Sequence, residues 1–582
     1  MFNKNNTWTY SPTDLVTFMR SPFEFWMNRA VILNPDLVQL KDPEDEALKA
    51  LQTKGYEHED EVLANLMQSD GKRVIDIDAL KTKDRRAETI KAMREGYDVI
   101  YQAHLALDPF AGKADFLIKV DAPSELGDFS YEVWDSKLAF SVKPHFIIQL
   151  CCYAQMVAQV QGGLPEYLGV ILGDKTEEKV RTSDYYYYYL ALKDKFLKFN
   201  KVQSQFDLKA IPDPFDSKEH GAWTGYAQQL LEERDHLSLI ANINRSQIKK
   251  LSAAGITTCT SLRAHEGALS GMNPEILIRL REQSSLQFQS KGLDKPVFKI
   301  LSSNPAGLAS LPTPSVGDVF FDIEGYPLIE GGLEYLWGCT YFENGKRLFK
   351  DFWAHDRDQE RELFIDFIAW IFERWTRFPD LHIYHYATYE ITACKKLSQR
   401  FGVCEHEVDE LLRHQVFVDL YKVVKAGLMV GEPRYSIKNI EHLYRAKRDT
   451  EVKSGGDSII VYGAWYESWL AGHASADWTQ DAVLKNIRDY NKDDCDSTQE
   501  LFAWLADLKI EHKIETIELV KDELNEDEPT EKQQNKIENK RQRTELKERL
   551  LEQALEPELS DEQKRLSAHM AHSLDFHERE LK

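Results

Sequence analysis

The segment VFFDIEGYP (residues 319–327) carries two acidic residues at the end of an apolar run. Asp322 and Glu324 are separated by a single residue, directly after Phe321. The run predicts a strand, and residues i and i+2 of a strand point to the same face. Both carboxylates should therefore lie side by side, an arrangement that suits a divalent metal ion.

Two later segments supply side chains that can join this pair. IYHYATYEITACKKL (residues 383–397) places Glu390 at a strand-to-helix junction, and IRDYNKDDCDSTQELFAWL (residues 487–505) places Tyr490 and Asp494 one helical turn apart. Four carboxylates that converge from strands and helices can hold two Mg²⁺ ions roughly 4 Å apart. Tyr490 is then placed to position the attacking water.

The order of these residues resembles the DEDD exonucleases, which have an RNase H-like fold, in the tyrosine variant with a Y-x-x-x-D motif. The resemblance implies a 3′–5′ exonuclease whose metal ligands are Asp322, Glu324, Glu390 and Asp494. That family commonly has Asp where this chain has Glu390. An inactive RNase H-like domain used for binding is the alternative.

Two residues between the second and third motifs are further candidates. Asp419 in VFVDLYKVV (residues 416–424) is either a support for the site or a solvated carboxylate at a helix start. The segment YSIKNIEHLY (residues 435–444) resembles the helix that DEDD exonucleases place beside the substrate groove. The resemblance makes Lys438 a candidate contact to a phosphate.

A second pattern lies in YEVWDSKLAF (residues 131–140), where Asp135 and Lys137 are two residues apart in a predicted strand. A carboxylate and a lysine on one face suit a metal-dependent phosphodiesterase. The carboxylate holds an ion that activates water, and the lysine orients the water or stabilises the transition state. The triplet on its own is more typical of a surface ion pair.

Neighbouring segments add side chains of matching chemistry, namely His58 (beside Glu59), Asp115, Gln149 and Tyr153. His58, Asp115 and Asp135 offer a mixed nitrogen and oxygen shell for Mg²⁺ or Mn²⁺. Gln149 and Tyr153 share a helical face because they are four residues apart. We expect this pair to face the substrate or the metal ligands.

This ordered set resembles the RecB-like branch of the PD-(D/E)XK nucleases. That family's G-x-x-H, G-x-x-D, D-x-K and Q-x-x-x-Y motifs are matched by Gly55 to His58, Gly112 to Asp115, Asp135 to Lys137 and Gln149 to Tyr153. Lys143, near the start of the last helix, is a candidate nucleic-acid contact. Some relatives carry an iron–sulfur cluster on four cysteines, but the flanking segments here lack cysteine, so we expect no cluster. A core histidine with scattered ion pairs is the alternative.

The alternation of predicted elements indicates an α/β multidomain chain. The expected parts are a RecB-like PD-(D/E)XK nuclease domain (1–205), a helical linker (206–310), an RNase H-like DEDD exonuclease domain (311–510) and a charged helical tail (511–582). SPTDLVTFMRSPFEFWMNRAV predicts one amphipathic helix that is capped by Ser11. In the linker, residues 243–265 resemble a helix-hairpin-helix module, with a simple helical spacer as the alternative.

Composition limits the possible classes of protein. The net charge of −23 argues against a protein that simply coats nucleic acid, although it does not exclude a nuclease. Seven cysteines without a CxxC motif argue for reduced thiols and against a zinc site. We find no apolar run of roughly 18 residues and no signal-peptide core, so we expect a cytoplasmic protein without membrane contact.

The expected function is a Mg²⁺- or Mn²⁺-dependent nuclease with two active sites that hydrolyses the phosphodiester bonds of nucleic acid, with DNA rather than RNA as the expected substrate. A nucleic-acid-binding scaffold in which one or both sites are inactive is the alternative. The arrangement also resembles a group of bacterial nucleases that are often fused to a superfamily I helicase.

The chain has no G-x-x-x-x-G-K-[ST] motif, so we expect the helicase in trans or as a missing C-terminal fusion, in DNA processing, repair or defence. An apolar helical face is predicted for docking within residues 545–582, at Leu566, Met570, Leu574 and Phe576. A helix folded back on the exonuclease domain is the alternative.

Overall fold

The protein is described here from a computed structural model. The described residues are 1–4, 7–44, 46–68, 71–139, 141–202, 210–217, 219–302, 304–329, 331–445, 455–517, 543, 545–556 and 559–574. They fall into two compact units, residues 1–516 and residues 517–582.

The first unit contains fifteen strands among its described residues. They are β1 (Phe2–Lys4), β2 (Thr7–Thr9), β3 (Val74–Asp76), β4 (Val99–Leu107), β5 (Phe110–Val120), β6 (Ser130–Ser136), β7 (Tyr167–Ile171), β8 (Glu177–Arg181), β9 (Phe298–Ile300), β10 (Val319–Tyr326), β11 (Leu333–Glu343), β12 (Lys346–Trp353), β13 (Ile383–His385), β14 (Phe417–Asp419) and β15 (Leu428–Val430).

Seventeen α-helices accompany these strands in the described part of the unit. They are α1 (Pro12–Arg20), α2 (Pro22–Leu33), α3 (Glu46–Gln68), α4 (Arg85–Arg94), α5 (Pro144–Gln161), α6 (Thr182–Val202), α7 (Thr224–Glu233), α8 (Arg245–Ala253), α9 (Cys259–Ala264), α10 (Pro274–Ser290), α11 (Arg357–Arg377), α12 (Tyr389–Phe401), α13 (Glu405–Arg413), α14 (Leu420–Gly427), α15 (Ile437–Ile440), α16 (Gly455–Leu470) and α17 (Ala482–Glu511).

The N-terminal sheet has six strands in the order β3-β4-β5-β6-β7-β8. β4, β5 and β6 form an antiparallel meander, and α5 then crosses over so that β7 pairs in parallel with β6. Pro144 stands in the first turn of α5, and Gly162 ends the helix in the left-handed region with φ 76°. The crossover buries the apolar face of α5 against the sheet.

Two helices, rather than the single predicted one, follow the first strands. α1 has the predicted cap, because Ser11 and Asp14 form a capping box. The helix cannot continue into α2, since Pro22 lacks an N–H group and keeps the preceding residue out of the helical region. Ser21 is extended, with φ −149°, and its side chain caps α2. The prediction of one continuous helix was therefore wrong at the Ser21–Pro22 boundary.

In the sequence between the two large sheets, α8, α9 and α10 surround a small apolar core of their own, whereas α7 packs with α2 in a separate apolar cluster. The two short helices α8 and α9 flank Gly255, which has φ 80° and ends α8 in the left-handed region. This segment is tied to the C-terminal part by β9, which pairs with β15. Nucleic-acid contact by α8 and α9 stays a prediction.

The C-terminal sheet has five strands in the order β12-β11-β10-β13-β14. β10, β11 and β12 are antiparallel neighbours, whereas β13 and β14 continue the sheet in parallel on the other side of β10. β10 is therefore an interior strand, and α17 packs across both β10 and β11. This topology brings the end of β10 next to α12 and α17, which hold the other predicted acidic residues.

The N-terminal and C-terminal sheets are linked by a contact between α3 and α16. The ammonium of Lys54 in α3 lies 2.8 Å from Oε1 of Glu467 in α16. The same ammonium also donates to the Tyr326 hydroxyl at 3.1 Å, at the end of β10. Tyr326 is almost fully buried, so the lysine reaches into the C-terminal fold rather than resting on its surface.

The second unit is helical where it is described, over 545–553 and Asp561–Ser573. Leu566 and Met570, two of the apolar residues predicted for docking, are 59% and 52% exposed. Phe576 lies outside the described residues. None of the described helices is both long enough and apolar enough to cross a membrane.

Candidate active sites

Three of the acidic residues predicted in the C-terminal part meet at the end of β10. Asp322 and Glu324 come from β10, and Asp494 reaches them from α17. One carboxylate oxygen of each residue lies within 4.8 Å of the other two. Within the described parts of the chain, this is the one group of three such side chains at ligand spacing. Oxygen donors in this arrangement match the ligand preference of Mg²⁺ and Mn²⁺.

The three carboxylates of this triad are crowded together where Glu324 is buried and Asp322 and Asp494 are partly buried. Burial, followed by the charge of Asp494, raises the pKa of Glu324 to about 8. Burial also holds the pKa of Asp322 well above its ordinary range, and the charges of Asp494, Glu324 and Glu390 add to the effect. Each carboxylate therefore disfavours the charged form of the next, and a divalent cation would remove that penalty.

Two neutral donors orient the triad. The Asn491 amide donates to Asp322 Oδ2 at 2.8 Å, and the Ser458 hydroxyl donates to Glu324 Oε2 at 2.8 Å. Gly338 in β11 leaves the space that Asn491 occupies, because a Cβ there would lie 1.8 Å from Asn491 Oδ1. The position of Asp322 thus depends on a glycine in the neighbouring strand.

Glu390, the fourth predicted carboxylate, lies beside the triad. It is buried in the first turn of α12, and its charge acts on Asp322. Its Oε2 lies 3.4 Å from Nδ1 of His385, which is completely buried at the end of β13. The structure therefore brings three predicted ligands to metal spacing and places the fourth next to them, in contact with a histidine.

Asp419 caps a helix and also supports the turn that leads to Glu390. Its Oδ1 accepts from the Tyr421 backbone N–H at 3.0 Å and from the Ala387 N–H at 2.9 Å. Ala387 has φ 74°, which costs energy for a residue with a side chain. Asp419 is therefore a carboxylate at a helix start, as one alternative predicted. Because it is buried, it is not solvated as that alternative also held.

Tyr490 and Lys438, predicted to serve water and phosphate, contact each other. The Lys438 ammonium donates to the Tyr490 hydroxyl at 3.0 Å, and the ammonium also lies over the phenol ring. The charge of Lys438 lowers the pKa of Glu324 against the larger effects that raise it. The Lys438 ammonium thus holds the side chain of Tyr490, which lies one helical turn before Asp494.

The N-terminal candidates cluster where β5 and β6 separate. Asp135 is buried, and its Oδ2 lies 2.6 Å from the Lys137 ammonium. Burial and then Asp135 hold the pKa of Asp115 well above its ordinary range. Although burial lowers the pKa of Lys137, Asp135 and Asp115 together raise it. Lys137 directly follows β6, so the Asp135–Lys137 pair is an ion pair in the fold and not on the open surface.

Strand pairing opens at this cluster. The β5–β6 ladder ends at Phe116 and Trp134, one position before Asp115 and Asp135 would face each other. On the other side of β5, pairing with β4 skips Gln102, which has φ 50°. A left-handed residue inside a strand is strained, and such residues are common at functional sites. At this opening Asp115 and Asp135 are not paired with each other, although Asp135 pairs with Val170 of β7.

Gln149 and Tyr153 reach the same cluster from α5. Tyr153 is 6% exposed and lies near both carboxylates, whose charges act with burial to raise its pKa. Gln149 interacts with the Tyr153 hydroxyl. A Cβ at Gly112 would lie 2.8 Å from that hydroxyl, so the glycine of the G-x-x-D motif makes room for the tyrosine of the Q-x-x-x-Y motif.

Two predicted residues, His58 and Lys143, are less closely connected to the cluster of Asp115, Asp135 and Lys137. His58 is buried, and its Nε2 has no hydrogen-bond partner among the described residues. It is not part of a compact three-ligand group with Asp115 and Asp135 in the described chain. Lys143 is exposed and donates to the Ser141 hydroxyl at 2.9 Å. Metal binding by His58 and phosphate contact by Lys143 stay predictions.

Several supporting residues were missed by the sequence analysis. Glu59 was noted only as a neighbour of His58, but its charge acts on Asp115 and Lys137, and its Oε1 accepts from Tyr101. Asn491 stands next to Tyr490, which is a weak signal in retrospect. Three further supporting residues were missed because each contacts a segment far away in the chain and no local sequence pattern indicates that contact. They are Ser458, His385 and Gly338.

Replacing one triad carboxylate should alter how the stability of the metal-free protein depends on pH. The folded-state pKa of Glu324 is raised, so the folded state binds a proton that the unfolded state has lost between about pH 4.5 and pH 8. Stability should fall as pH rises through this range. Glu324→Gln should therefore raise Tm by about 2 to 5 °C at pH 8.5 in EDTA, and by less at pH 5.5.

Glu511→Gln, at an exposed position of α17, is the matched control and should leave the pH dependence unchanged. Mn²⁺ should stabilise the wild type at pH 8.5 more than Glu324→Gln. If Tm depended on pH in the same way for the wild type and Glu324→Gln, the proposed repulsion between Glu324 and its neighbouring carboxylates would be contradicted.

Residues 319–506 match the family model described as RNase_H superfamily. No curated protein matches the chain. The matched range begins at the first residue of β10 and extends into α17, so it includes Asp322, Glu324, Glu390 and Asp494. The C-terminal sheet and its helices are therefore an RNase H-like domain, a fold whose members include metal-dependent nucleases that process nucleic acid.

Proposed function

We propose that the protein is a metal-dependent nuclease and that its RNase H-like domain trims nucleic acid from the 3′ end. The observation that carries this proposal is the spacing of Asp322, Glu324 and Asp494, whose ligand oxygens lie within 4.8 Å of one another. Glu324 is buried and Asp322 and Asp494 are partly buried, and burial together with the crowding of these carboxylates raises the pKa values of Asp322 and Glu324, so ionising them without a cation is costly. Mg²⁺ or Mn²⁺ is the matching cofactor.

The surrounding side chains suit hydrolysis of a phosphodiester. Bound divalent ions would polarise the phosphate and lower the pKa of a water molecule. Asn491 and Ser458 keep the carboxylates of Asp322 and Glu324 in fixed orientations. The Tyr490 hydroxyl, held by Lys438, can orient the attacking water by a hydrogen bond. Glu390, beside His385, can serve as a further ligand or as an acceptor for that water.

Loss of one triad carboxylate should abolish 3′-end trimming. Asp322→Ala should lower the rate of release of a 3′-terminal nucleotide by at least about 100-fold, because the site loses a charge and a ligand. The measurement uses end-labelled single- and double-stranded DNA and RNA with Mg²⁺ or Mn²⁺.

Asp507→Ala, an exposed change on the same helix as Asp494, is the control and should trim normally. Wild-type protein that binds these strands but releases nothing would instead support a nucleic-acid-binding scaffold. Trimming by Asp322→Ala at the wild-type rate would contradict the assignment.

We propose a second nuclease site of the RecB-like PD-(D/E)XK type in the N-terminal sheet. Support comes from an antiparallel meander followed by a helical crossover to a parallel strand, with Asp115 and Asp135 at the point where the meander opens. The Lys137 ammonium lies 2.6 Å from Asp135 Oδ2. Lys137 can orient water or stabilise charge on the phosphate, while Asp115 and Asp135 hold the ion. His58 would be the nitrogen ligand.

Lys137 should be required for cutting but not for metal binding at this second site. In an Asp322→Ala background, Lys137→Ala should remove the remaining cleavage while Mn²⁺ still binds, because lysine is not a metal ligand. Asp115→Ala should lose both cleavage and ion. Cleavage assays and Mn²⁺ titration give the two measurements.

Lys195→Ala, an exposed lysine on α6, is the matched control. Because the two sites use separate ligands, Asp322→Ala alone should spare this cleavage. Normal cleavage by the Asp322→Ala/Lys137→Ala protein would show the second assignment to be wrong, and a single substitution that silenced both activities would indicate one composite site.

We further propose DNA as the substrate and a superfamily I helicase, supplied in trans, as the partner. The chain lacks a P-loop motif, so unwinding would have to come from elsewhere. Leu566 and Met570 lie four residues apart on one exposed helical face, which suits docking to an apolar groove.

Charged residues on that face should weaken the partnership. The Leu566→Asp/Met570→Asp protein should lose the helicase that wild-type protein retains in a pull-down, while both nuclease activities persist. Gln563→Asp, on the same helix, is the control. Equal recovery of a helicase by the wild type and the double variant would argue against docking through this face.

A further inference from the structure

Tyr389, the residue before Glu390, lies partly exposed beside the acidic triad. It is 49% exposed, yet its hydroxyl donates to Oε2 of the buried Glu334 at 2.7 Å. Burial and Glu334 raise the pKa of this hydroxyl, and the charges of Glu324 and Glu390 add to the effect. The hydroxyl lies beside Gly325, the residue after Glu324, because a Cβ there would be 2.6 Å from it, while about half of the residue's surface is exposed to solvent.

The fold leaves space for this contact at one glycine. Glu334 in β11 pairs in register with Gly325, which directly follows Glu324 in β10. A Cβ on Gly325 would lie 2.6 Å from both Glu334 Oε2 and the Tyr389 hydroxyl. Any side chain at this position would thus separate the tyrosine from its acceptor.

The acceptor carboxylate is itself held in place. Glu334 is 5% exposed, and its Oε1 lies 3.8 Å from the Lys396 ammonium. The backbone N–H of Glu334 donates to Glu360 at 2.8 Å. Tyr389 is therefore tied to a fixed point in the sheet and not to a mobile surface group.

A half-exposed aromatic ring with an anchored hydroxyl offers a rigid, apolar surface at low entropic cost. Tyrosine has two side-chain torsions, and a hydrogen bond to a buried acceptor restricts both. Every base of a nucleic acid has a flat face, so such a ring can stack on a strand end without regard to sequence. A 3′-end nuclease needs this kind of contact, because it must accept each terminal nucleotide in turn.

We propose that Tyr389 stacks on the terminal base of the strand that enters the RNase H-like site, and that Glu334 is the positioning residue that fixes the ring. This inference rests on the proposed nuclease function and specifies how the strand end is held. Tyr389 and Glu390 are consecutive residues, so a base on the ring would direct the adjoining phosphodiester toward the carboxylates.

The competing explanation is that Tyr389 only braces α12 against β11. A brace would affect all substrates equally, whereas a stacking surface acts only on substrates that present a base. The experiment therefore compares two 3′-labelled single strands, one ending in a normal nucleotide and one ending in an abasic nucleotide. Release of the terminal residue is measured with Mn²⁺ for wild type, Tyr389→Ala, Tyr389→Leu, Tyr389→Phe and Glu334→Gln.

Stacking predicts a KM about 10-fold lower for the normal strand than for the abasic strand in the wild type. Tyr389→Ala and Tyr389→Leu should lose this preference with little change in KM for the abasic strand. Leucine keeps apolar volume next to α12, so it separates stacking from packing. Tyr389→Phe keeps the ring but loses the tether and should retain part of the preference, as should Glu334→Gln.

Retention of the full preference by Tyr389→Ala or Tyr389→Leu would overturn the inference, as would its absence from the wild type. Loss of kcat on both strands with an unchanged preference would identify a brace and would also overturn it. A wild-type protein that releases neither terminus would contradict the proposed nuclease function, which separates that failure from a failure of the stacking proposal.

Discussion

Buried negative charge at the end of β10 is the constraint around which the C-terminal half of the chain is built. Carboxylates removed from water must be neutralised, hydrogen-bonded or bound to a cation. The donors to Asp322 and Glu324 are Asn491 and Ser458, which lie 169 and 134 residues away in sequence. Both donors are carried by helices, α17 and α16, that pack against β10. The acidic cluster and the closure of the fold therefore depend on each other.

The two candidate sites meet the same electrostatic problem in different ways. At the N-terminal site, Lys137 lies 2.6 Å from Asp135, so one countercharge is part of the chain. At the RNase H-like site, the neutral side chains of Asn491 and Ser458 donate to Asp322 and Glu324. The Lys438 ammonium contacts Tyr490, and its charge lowers the pKa of Glu324 against larger effects that raise it. At the RNase H-like site, burial and the charge of Asp494 outweigh that lysine and keep the pKa of Glu324 raised to about 8, so a divalent cation would lower the cost of ionising this carboxylate.

Local patterns were sufficient to predict the acidic residues but not their supports. The two-residue period of a strand put Asp322 and Glu324 on one face, and in the structure their carboxylates lie at ligand spacing with that of Asp494. Tyr490 lies one turn before Asp494 in α17. Gly325, Gly338 and Ser458 matter only through contacts across strands or between distant helices, and a periodicity argument cannot detect such contacts. The break at Ser21–Pro22 arises because proline restricts the backbone of the residue before it, and this restriction overrides the apolar periodicity of the segment.

The helix α3 connects the two sites physically. It carries Glu59, whose charge acts on Asp115 and Lys137, and about one turn earlier it carries Lys54. Lys54 donates to the hydroxyl of Tyr326, two residues beyond Glu324 in the strand that holds the acidic triad. The same lysine lies 2.8 Å from Glu467 on α16, the helix whose Ser458 contacts Glu324. A shift of α3 would therefore act on Glu59 beside the N-terminal cluster and, through Lys54, on the strand that carries Glu324 and the helix that carries Ser458.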